Sequence, residues 1–147
     1  MSEDAPKYSE QLSQLLTGRP LKVREATEWH ERILAGLPVG AVETLKTATA
    51  MTDTEIAGLL GIGEATLRRA RAAGGLLDAW TSDRLFRLSK IIALATEVLG
   101  SQSNAISWLR RAQPALNGQM PFDLLVTQAG TDEVETVLRR IDYGAYT

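Results

Sequence analysis

The chain has 147 residues, of which 44% are hydrophobic and only 5% aromatic, and its formal net charge is -2. This length suits one compact domain or two small ones, and the composition predicts an interior of aliphatic side chains. Because the sequence contains no cysteine, disulfides and thiolate zinc sites are excluded. No apolar run reaches the roughly 18 residues of a membrane span, and the N-terminal residues do not resemble an export signal, so we expect a cytoplasmic protein.

Three helices are predicted in the first third of the chain. A short one lies in the segment YSEQLSQLL, where three leucines share one side: Leu12, Leu15 and Leu16. A second runs from Ala26 to Leu34, before Gly36 and Pro38, and a third from Val39 to Ala50. The sequence has one histidine, His30. A single histidine cannot assemble a metal site or a catalytic triad, so neither is expected.

The following segment, TDTEIAGLLGIGEATLRRARAAGG, predicts a helix-turn-helix over residues 52–75. Thr52 and Glu55 have the spacing of a capping box, which marks the start of the first helix. Ala57 is small enough for two helices to cross closely, and Gly61 permits a tight turn between them. Leu67 then fills the angle between the helices. These offsets are similar to those of DNA-binding helix-turn-helix units.

The outer face of the second of these helices is the predicted DNA-binding surface. Once the apolar positions are assigned inward, the residues left on this face are Glu64, Ala65, Arg68, Arg69 and Ala72. Such a face enters the major groove, and two adjacent arginines suit base edges or phosphates. Residues 64–90 contain six basic and three acidic residues, so this window is basic although the chain is not. The alternative is an ordinary helical hairpin with solvated arginines.

The second half of the chain is predicted to be helical as well. A long helix starts at a cap formed by Thr81 or Ser82 and ends at Gly100. A shorter helix covers Asn104 to Arg111. The segment FDLLVTQA forms the next helix, which Gly130 stops.

The last helix is predicted to start from a cap at Thr131, and its apolar residues recur at helical spacing: Val134, Val137, Leu138 and Ile141. Acidic residues at its N-terminus are explained by the helix dipole, so they do not indicate a catalytic pair. No segment of the chain alternates convincingly with a period of two residues. The expected fold is therefore all-α.

Several separated motifs in the second half occur in a fixed order: Trp108-Leu109, Leu116, Gly118, Pro121, Leu124-Leu125, Thr127, Gly130, Val134, Leu138, Ile141 and Tyr143-Gly144. Together they resemble the C-terminal region of Xre-type antitoxins that pair with RES-domain toxins. The helix-turn-helix, followed by Ser82-Asp83-Arg84, is also similar to that family, so the resemblance runs from about Gly36 to the end. It departs at three positions, where the family often has proline, glycine and glutamate: Ala112, Asn117 and Asp142.

The resemblance implies an antitoxin that neutralises a RES-type toxin and represses its own operon. The toxin of such a pair resembles ADP-ribosyltransferases and degrades NAD, and the antitoxin's C-terminal end approaches the toxin's active-site cleft. We therefore expect an N-terminal helical segment (1–36), a helix-turn-helix domain (37–80), and a linking helix with a toxin-binding domain (81–147). The expected partners are the toxin, operator DNA and a second copy of the chain within a hetero-oligomeric complex. No cofactor or metal of its own is expected.

The predicted toxin-binding residues are Trp108, Tyr143, Gly144, Ala145, Tyr146 and Thr147. A tail with two tyrosines and a glycine hinge offers a large contact area at a low cost in rotamer entropy, as a peptide that fills a pocket requires. The alternative is that both tyrosines pack the terminus onto the core and that Trp108 is a core anchor.

Other classes of function remain open from the residues alone. A stand-alone transcriptional regulator would share the helix-turn-helix and use its C-terminal half for dimerisation or for an effector. A helical adaptor would bind no operator. An enzyme is not expected, because the sequence has no glycine-rich phosphate loop, metal-ligand cluster or pairing of nucleophile and base.

Overall fold

The computed structural model describes Leu12, Leu15, Leu16 and residues 26–144. The helices are α1 (Ala26–Ala35), α2 (Gly40–Thr49), α3 (Asp53–Leu60), α4 (Glu64–Ala73), α5 (Ala79–Leu99), α6 (Gln102–Leu109), α7 (Pro121–Leu124) and α8 (Gln128–Asp142), with a 3-10 turn at Pro114–Leu116. Within the described residues, β-structure is limited to two isolated bridges, Pro38 with Leu76 and Gln113 with Gln119. The predicted all-α fold is confirmed.

The chain divides into two compact units, residues 1–89 and 90–147, with the boundary inside α5. The core of the first unit is mainly aliphatic, and its largest fully buried side chains are Leu16, Val42, Leu45, Ile56, Leu60, Leu67 and Leu85. Leu12, Leu15 and Leu16 are helical and buried, as predicted. The rest of their predicted helix lies outside the described residues. Trp29 closes one side of this core, with its ring centroid 5.4 Å from that of Phe86.

The helix-turn-helix forms where the capping box predicts it. The Thr52 hydroxyl accepts from the Glu55 N–H at 3.1 Å, and the Glu55 carboxylate accepts from the Thr52 N–H at 2.9 Å. Gly61 ends α3 in the left-handed region at φ 72°, and a Cβ there would strike the guanidinium of Arg84. Glycine is thus required for both conformation and space.

Packing between α3 and α4 depends on few side chains. Ala57 is buried where the helices meet, and Leu67 is the one buried residue among the ten of α4. Ala70 is partly buried, whereas Ala73, considered as a further inner residue, is exposed. The second helix of the motif therefore has a narrow apolar side.

The predicted cap of the long helix is wrong. α5 begins at Ala79, and the Asp78 carboxylate accepts from the Thr81 N–H at 2.7 Å, so Asp78 is the capping side chain. Both predicted caps lie inside the helix and are buried. The Ser82 hydroxyl instead accepts from the Leu37 N–H at 2.8 Å. It therefore satisfies a distant backbone donor, which helical spacing alone does not reveal.

The predicted end of one helix at Gly130, and the predicted cap at Thr131, are also wrong. α7 ends at Leu124, and α8 begins at Gln128. The cap of α8 is Thr127, whose hydroxyl accepts from the Gly130 N–H at 2.9 Å. A Cβ at Gly130 would strike the Leu124 carbonyl. This glycine permits close packing between two helices and does not stop one.

The start of α6 also differs from the prediction. α6 begins at Gln102, two residues before the predicted start, because the Ser101 hydroxyl accepts from the Asn104 N–H at 3.0 Å.

Asn117, which stands where the family often has glycine, has φ 57°. Asparagine tolerates this left-handed conformation better than most residues, so the turn is preserved without glycine.

We predict that Leu67→Ala lowers the free energy of unfolding by roughly 2–5 kcal/mol, because it leaves a cavity at the only apolar anchor of α4. Ala57→Leu should cost about 1–3 kcal/mol by overpacking the crossing. Thermal and urea melts of the full chain measure both. Thr66→Ala, an exposed neighbour on α4, is the matched control. If all three variants melt like the wild type, the inner face of the motif is assigned incorrectly.

Candidate functional site

The outer face of α4 carries the five residues that the sequence singles out. Glu64, Ala65, Arg68, Arg69 and Ala72 are all exposed. The Arg69 guanidinium donates to the Thr66 hydroxyl at 3.3 Å, one turn earlier. In the part of the chain that the structure describes, neither Arg68 nor Arg69 has a carboxylate partner. The face therefore offers two adjacent positive charges to an anionic ligand.

A third arginine of α4 points the other way. Arg71 donates from Nη1 and Nη2 to the two carboxylate oxygens of Asp53, at 3.0 and 2.7 Å. Its Nε lies against the Glu43 carboxylate, and the Lys46 ammonium also contacts Asp53. We call these four residues the ion cluster. It connects α4 to the start of α3 and to α2, so the helix that carries Arg68 and Arg69 is held on its inner side by charges.

Asp53 and Arg71, the centre of the ion cluster, keep their charges over a wide pH range. Hydrogen bonds from Arg71 and then from Lys46 hold the pKa of the Asp53 carboxyl well below its usual range. The hydrogen bond to Asp53 likewise raises the pKa of Arg71. Asp53 is also the first residue of α3, where the helix dipole favours a negative charge. The pair that connects α3 to α4 is therefore ionised at neutral pH.

Sequence reasoning missed this role of Arg71, which it counted only among the basic residues of the window. The signal is its position four residues after Leu67, which places both on the same side of α4.

Other positive charges of the basic window, residues 64–90, also have neighbours. The Arg84 guanidinium lies 4.9 Å from the centroid of the Trp80 ring, and Arg87 lies 3.9 Å from a carboxylate of α5. Among the arginines of the window, Arg68 and Arg69 are thus the two with neither a carboxylate nor an aromatic ring beside them in the part of the chain that the structure describes.

The second unit builds a compact loop between α6 and α7. The Gln113 N–H donates to the Gln119 carbonyl at 3.0 Å, and the Gly118 N–H donates to the Gln113 carbonyl at 2.9 Å. The Gln113 side chain donates to the carbonyl of Trp108 at 2.9 Å, which ties the loop to α6. Trp108, a predicted toxin contact, is only 9% exposed and belongs to the core of this unit.

Tyr143 and the pairing of Arg110 with Phe122 are further features of the second unit. The Arg110 guanidinium lies 5.2 Å from the centroid of the buried Phe122 ring, which places a cation on an apolar base. Tyr143 follows α8 and is 83% exposed. Gly144 has φ 72°. The other predicted tail residues, Ala145, Tyr146 and Thr147, lie outside the described residues.

Among the described residues, no group of three or more histidine, cysteine, aspartate or glutamate side chains is arranged to hold a metal ion. The same part of the chain contains no helix that is both long and apolar enough to cross a bilayer. The features that stand out chemically are therefore the arginine face of α4 and the exposed C-terminal end of α8.

Two family models match consecutive parts of the chain. Residues 28–90 match the antitoxin Xre-like helix-turn-helix domain. Residues 94–144 match the C-terminal toxin-binding domain of antitoxins Xre, MbcA and ParS. The first match contains the arginine face and the ion cluster, and the second contains the loop after α6 and the end of α8.

Similar proteins carry related names. An Antitoxin Xre from Pseudomonas putida is 41% identical over 63 residues, which is 43% of this chain and 40% of that protein. The matched region thus spans less than half of that relative. An Antitoxin Xre from Yersinia enterocolitica is 25% identical over 80% of each chain. A Sphingobium protein named Prs ADP-ribosylating antitoxin is 28% identical, over 74% of this chain and 82% of its own length.

Proposed function

The chain belongs to the Xre antitoxin family, and from this premise we propose that it neutralises a RES-type, NAD-degrading toxin and represses its own operon in the cytoplasm. The observation that carries the proposal is the distribution of the two family domains. The helix-turn-helix match, residues 28–90, covers most of the first compact unit, and the toxin-binding match, residues 94–144, lies within the second. Two binding tasks are thus assigned to two units of one chain.

The DNA-binding role is assigned to the outer face of α4. Its two arginines, Arg68 and Arg69, are exposed, while Arg71 is used by the ion cluster. Because the chain carries a net negative charge, non-specific coating of nucleic acid is disfavoured, and binding depends on this local face. Glu64 and Ala65 lie at the N-terminal end of α4, the end that reaches base edges in related motifs.

The repressor is proposed to act as a dimer on a two-fold symmetric operator. A single helix-turn-helix buries little DNA surface, so useful affinity requires two of them. In such dimers the half-sites lie about one helical turn, near 34 Å, apart. The dimer would also bring two toxin-binding units into one complex, which fits the expected hetero-oligomer of toxin and antitoxin.

The toxin is proposed to use NAD. The RES assignment comes from the motif order of the second half, and one relative is named for ADP-ribosylation. Degradation of NAD and transfer of its ADP-ribosyl group both break the bond between nicotinamide and ribose. An antitoxin that covers an NAD-binding cleft would block either reaction. The two toxin chemistries are separated by what is measured: loss of NAD, or ADP-ribose attached to a protein.

The blocking element is proposed to be the C-terminal tail, residues 143–147. Tyr143 is 83% exposed directly after α8, so its ring is available for a pocket on a partner. The helical surface of α6 to α8 would supply most of the docking area. Trp108 would mainly support this surface from the core, because its backbone carbonyl accepts a hydrogen bond from the Gln113 side chain of the loop.

We predict that the double substitution Arg68→Ala with Arg69→Ala weakens binding to the DNA upstream of the chain's own reading frame. The expected loss is about 1–3 kcal/mol for an arginine that reads a base edge, and a sequence-uniform loss with a smaller salt slope for one that contacts phosphate. Gel shifts over a salt series measure both effects.

Two controls accompany this experiment. Arg139→Ala with Arg140→Ala removes the same charge from α8 and should leave DNA binding unchanged. Arg71→Gln should weaken binding together with a lower melting temperature, because it breaks the ion cluster and removes no exposed charge of the DNA-facing surface. Wild-type affinity in the Arg68 and Arg69 double variant would remove α4 from the DNA interface.

Truncation after Asp142 should weaken neutralisation much more than it weakens folding or DNA binding. The deletion removes the hydrogen bonds from the Tyr143 N–H to the Arg139 carbonyl and from the Gly144 N–H to the Ile141 carbonyl, each at 3.0 Å, and leaves the buried residues of α8 in place. We expect a complex that still forms but leaks toxin activity, seen as NAD loss in cells that co-express both proteins. Full protection by the truncated chain would move the blocking role to the surface of α6 to α8.

If the neighbouring protein never binds the intact chain, the alternative gains support. The chain would then be a stand-alone transcriptional regulator whose second unit dimerises or binds an effector.

A further inference from the structure

Glu64 differs from the other carboxylates of α2 and the helix-turn-helix. Three acidic side chains of residues 40–73 are held by ion pairs or by the capping box: Glu43, Asp53 and Glu55. The Glu64 carboxylate, at the first residue of α4, is exposed and has neither a hydrogen bond nor an ion pair in the part of the chain that the structure describes. It is thus free to accept hydrogen bonds from a ligand.

Local structure gives Glu64 a single role. Its N-cap, Gly63, has no side chain, so Glu64 is not part of a capping box. Arg68 follows at the spacing at which a glutamate and an arginine often pair, but these two described residues form no ion pair. What remains is the helix dipole, which favours a negative charge at the start of α4. That role alone would affect the stability of α4 and not the choice of a DNA sequence.

We propose that Glu64 reads a cytosine in the major groove of the operator. The inference rests on the proposed DNA-binding function, because it requires the outer face of α4 to lie in the groove with its N-terminal end towards the base edges. It adds the identity of one base to that function.

The chemistry of a carboxylate restricts the base that it can read. An ionised carboxylate only accepts hydrogen bonds. In the major groove, guanine presents two acceptors, and thymine presents an acceptor and a methyl group, so neither can donate to it. The amino group of adenine donates, but it lies between two acceptors, N7 of the same base and O4 of the paired thymine. The amino group of cytosine donates and has a C–H edge on one side, so cytosine fits a carboxylate best.

The neighbours of Glu64 on the same face fit this assignment. DNA phosphates repel a carboxylate, and Arg68, one turn later, supplies a positive charge that offsets the repulsion. Ala65 is exposed and has only a methyl group, so a base edge can approach the start of α4 closely. The four residues from Glu64 to Arg68 span about 6 Å along the helix axis. Arg68 can therefore contact DNA about two base-pair steps from the cytosine, at ~3.4 Å per step.

Selection of binding sites by the full chain from a random library of double-stranded DNA tests the proposal. Sites enriched by the wild type should share a cytosine in each half-site, and its exchange for another base should weaken binding by at least about fivefold. Glu64→Gln should change the selected base to adenine, because glutamine pairs with adenine N6 and N7. Glu64→Ala should bind without preference at this position.

The matched control is Glu133→Gln, which removes an exposed carboxylate from α8 and should select the wild-type sites. Thermal melts establish that each variant is folded. Both Glu64 variants remove a negative charge from the DNA-facing surface, so they should bind DNA of any sequence more tightly. The selected base, and not the affinity alone, is therefore the measurement that decides.

Two outcomes would overturn the proposal. If the wild type enriches a sequence and the folded Glu64 variants enrich the same sequence, Glu64 reads no base, while the proposed repressor role stands. If the wild type enriches no sequence, the proposed DNA-binding function fails, and the reading of cytosine fails with it.

Discussion

Helix α4 is held in place by one buried leucine and by one arginine on its inner side. Leu67 is its only buried residue, and Arg71 connects it by charge to Asp53 at the start of α3 and to Glu43 on α2. A wider apolar side would anchor the helix more firmly, but it would leave fewer positions for a ligand. The narrow apolar side of α4 therefore leaves residues for the outer face, and the ion cluster compensates for the small apolar contact.

Three arginines of one short helix consequently have two different uses. Arg68 and Arg69 point outward without a carboxylate partner among the described residues, whereas Arg71 is matched by carboxylates from two other helices. An overall negative charge and a local basic face are compatible, because acidic residues elsewhere set the net charge while Arg68 and Arg69 leave one face of α4 positive. The side of the helix on which each arginine lies, more than the number of charges, therefore decides its role.

The helix-turn-helix and its outer face could be predicted from the sequence because they depend on local chemistry. The capping box of Thr52 and Glu55 and the left-handed Gly61 are short-range signals, and the structure contains both. The misplaced helix starts are set by equally local caps, Asp78 and Thr127, but residues near them have roles that come from packing. Ser82 is buried against the Leu37 backbone, and Gly130 is packed against the Leu124 carbonyl. No spacing rule reports such contacts.

The central claim is that this member of the Xre antitoxin family protects the cell from an NAD-using toxin through its second unit. The most direct measurement is the NAD content of cells that express the protein encoded by the neighbouring reading frame, alone or together with this chain, with a pull-down from the same cells. Our account predicts that NAD falls when the neighbour is expressed alone, and that co-expression preserves NAD and yields a stable complex. A neighbour that neither lowers NAD nor binds the chain would contradict it.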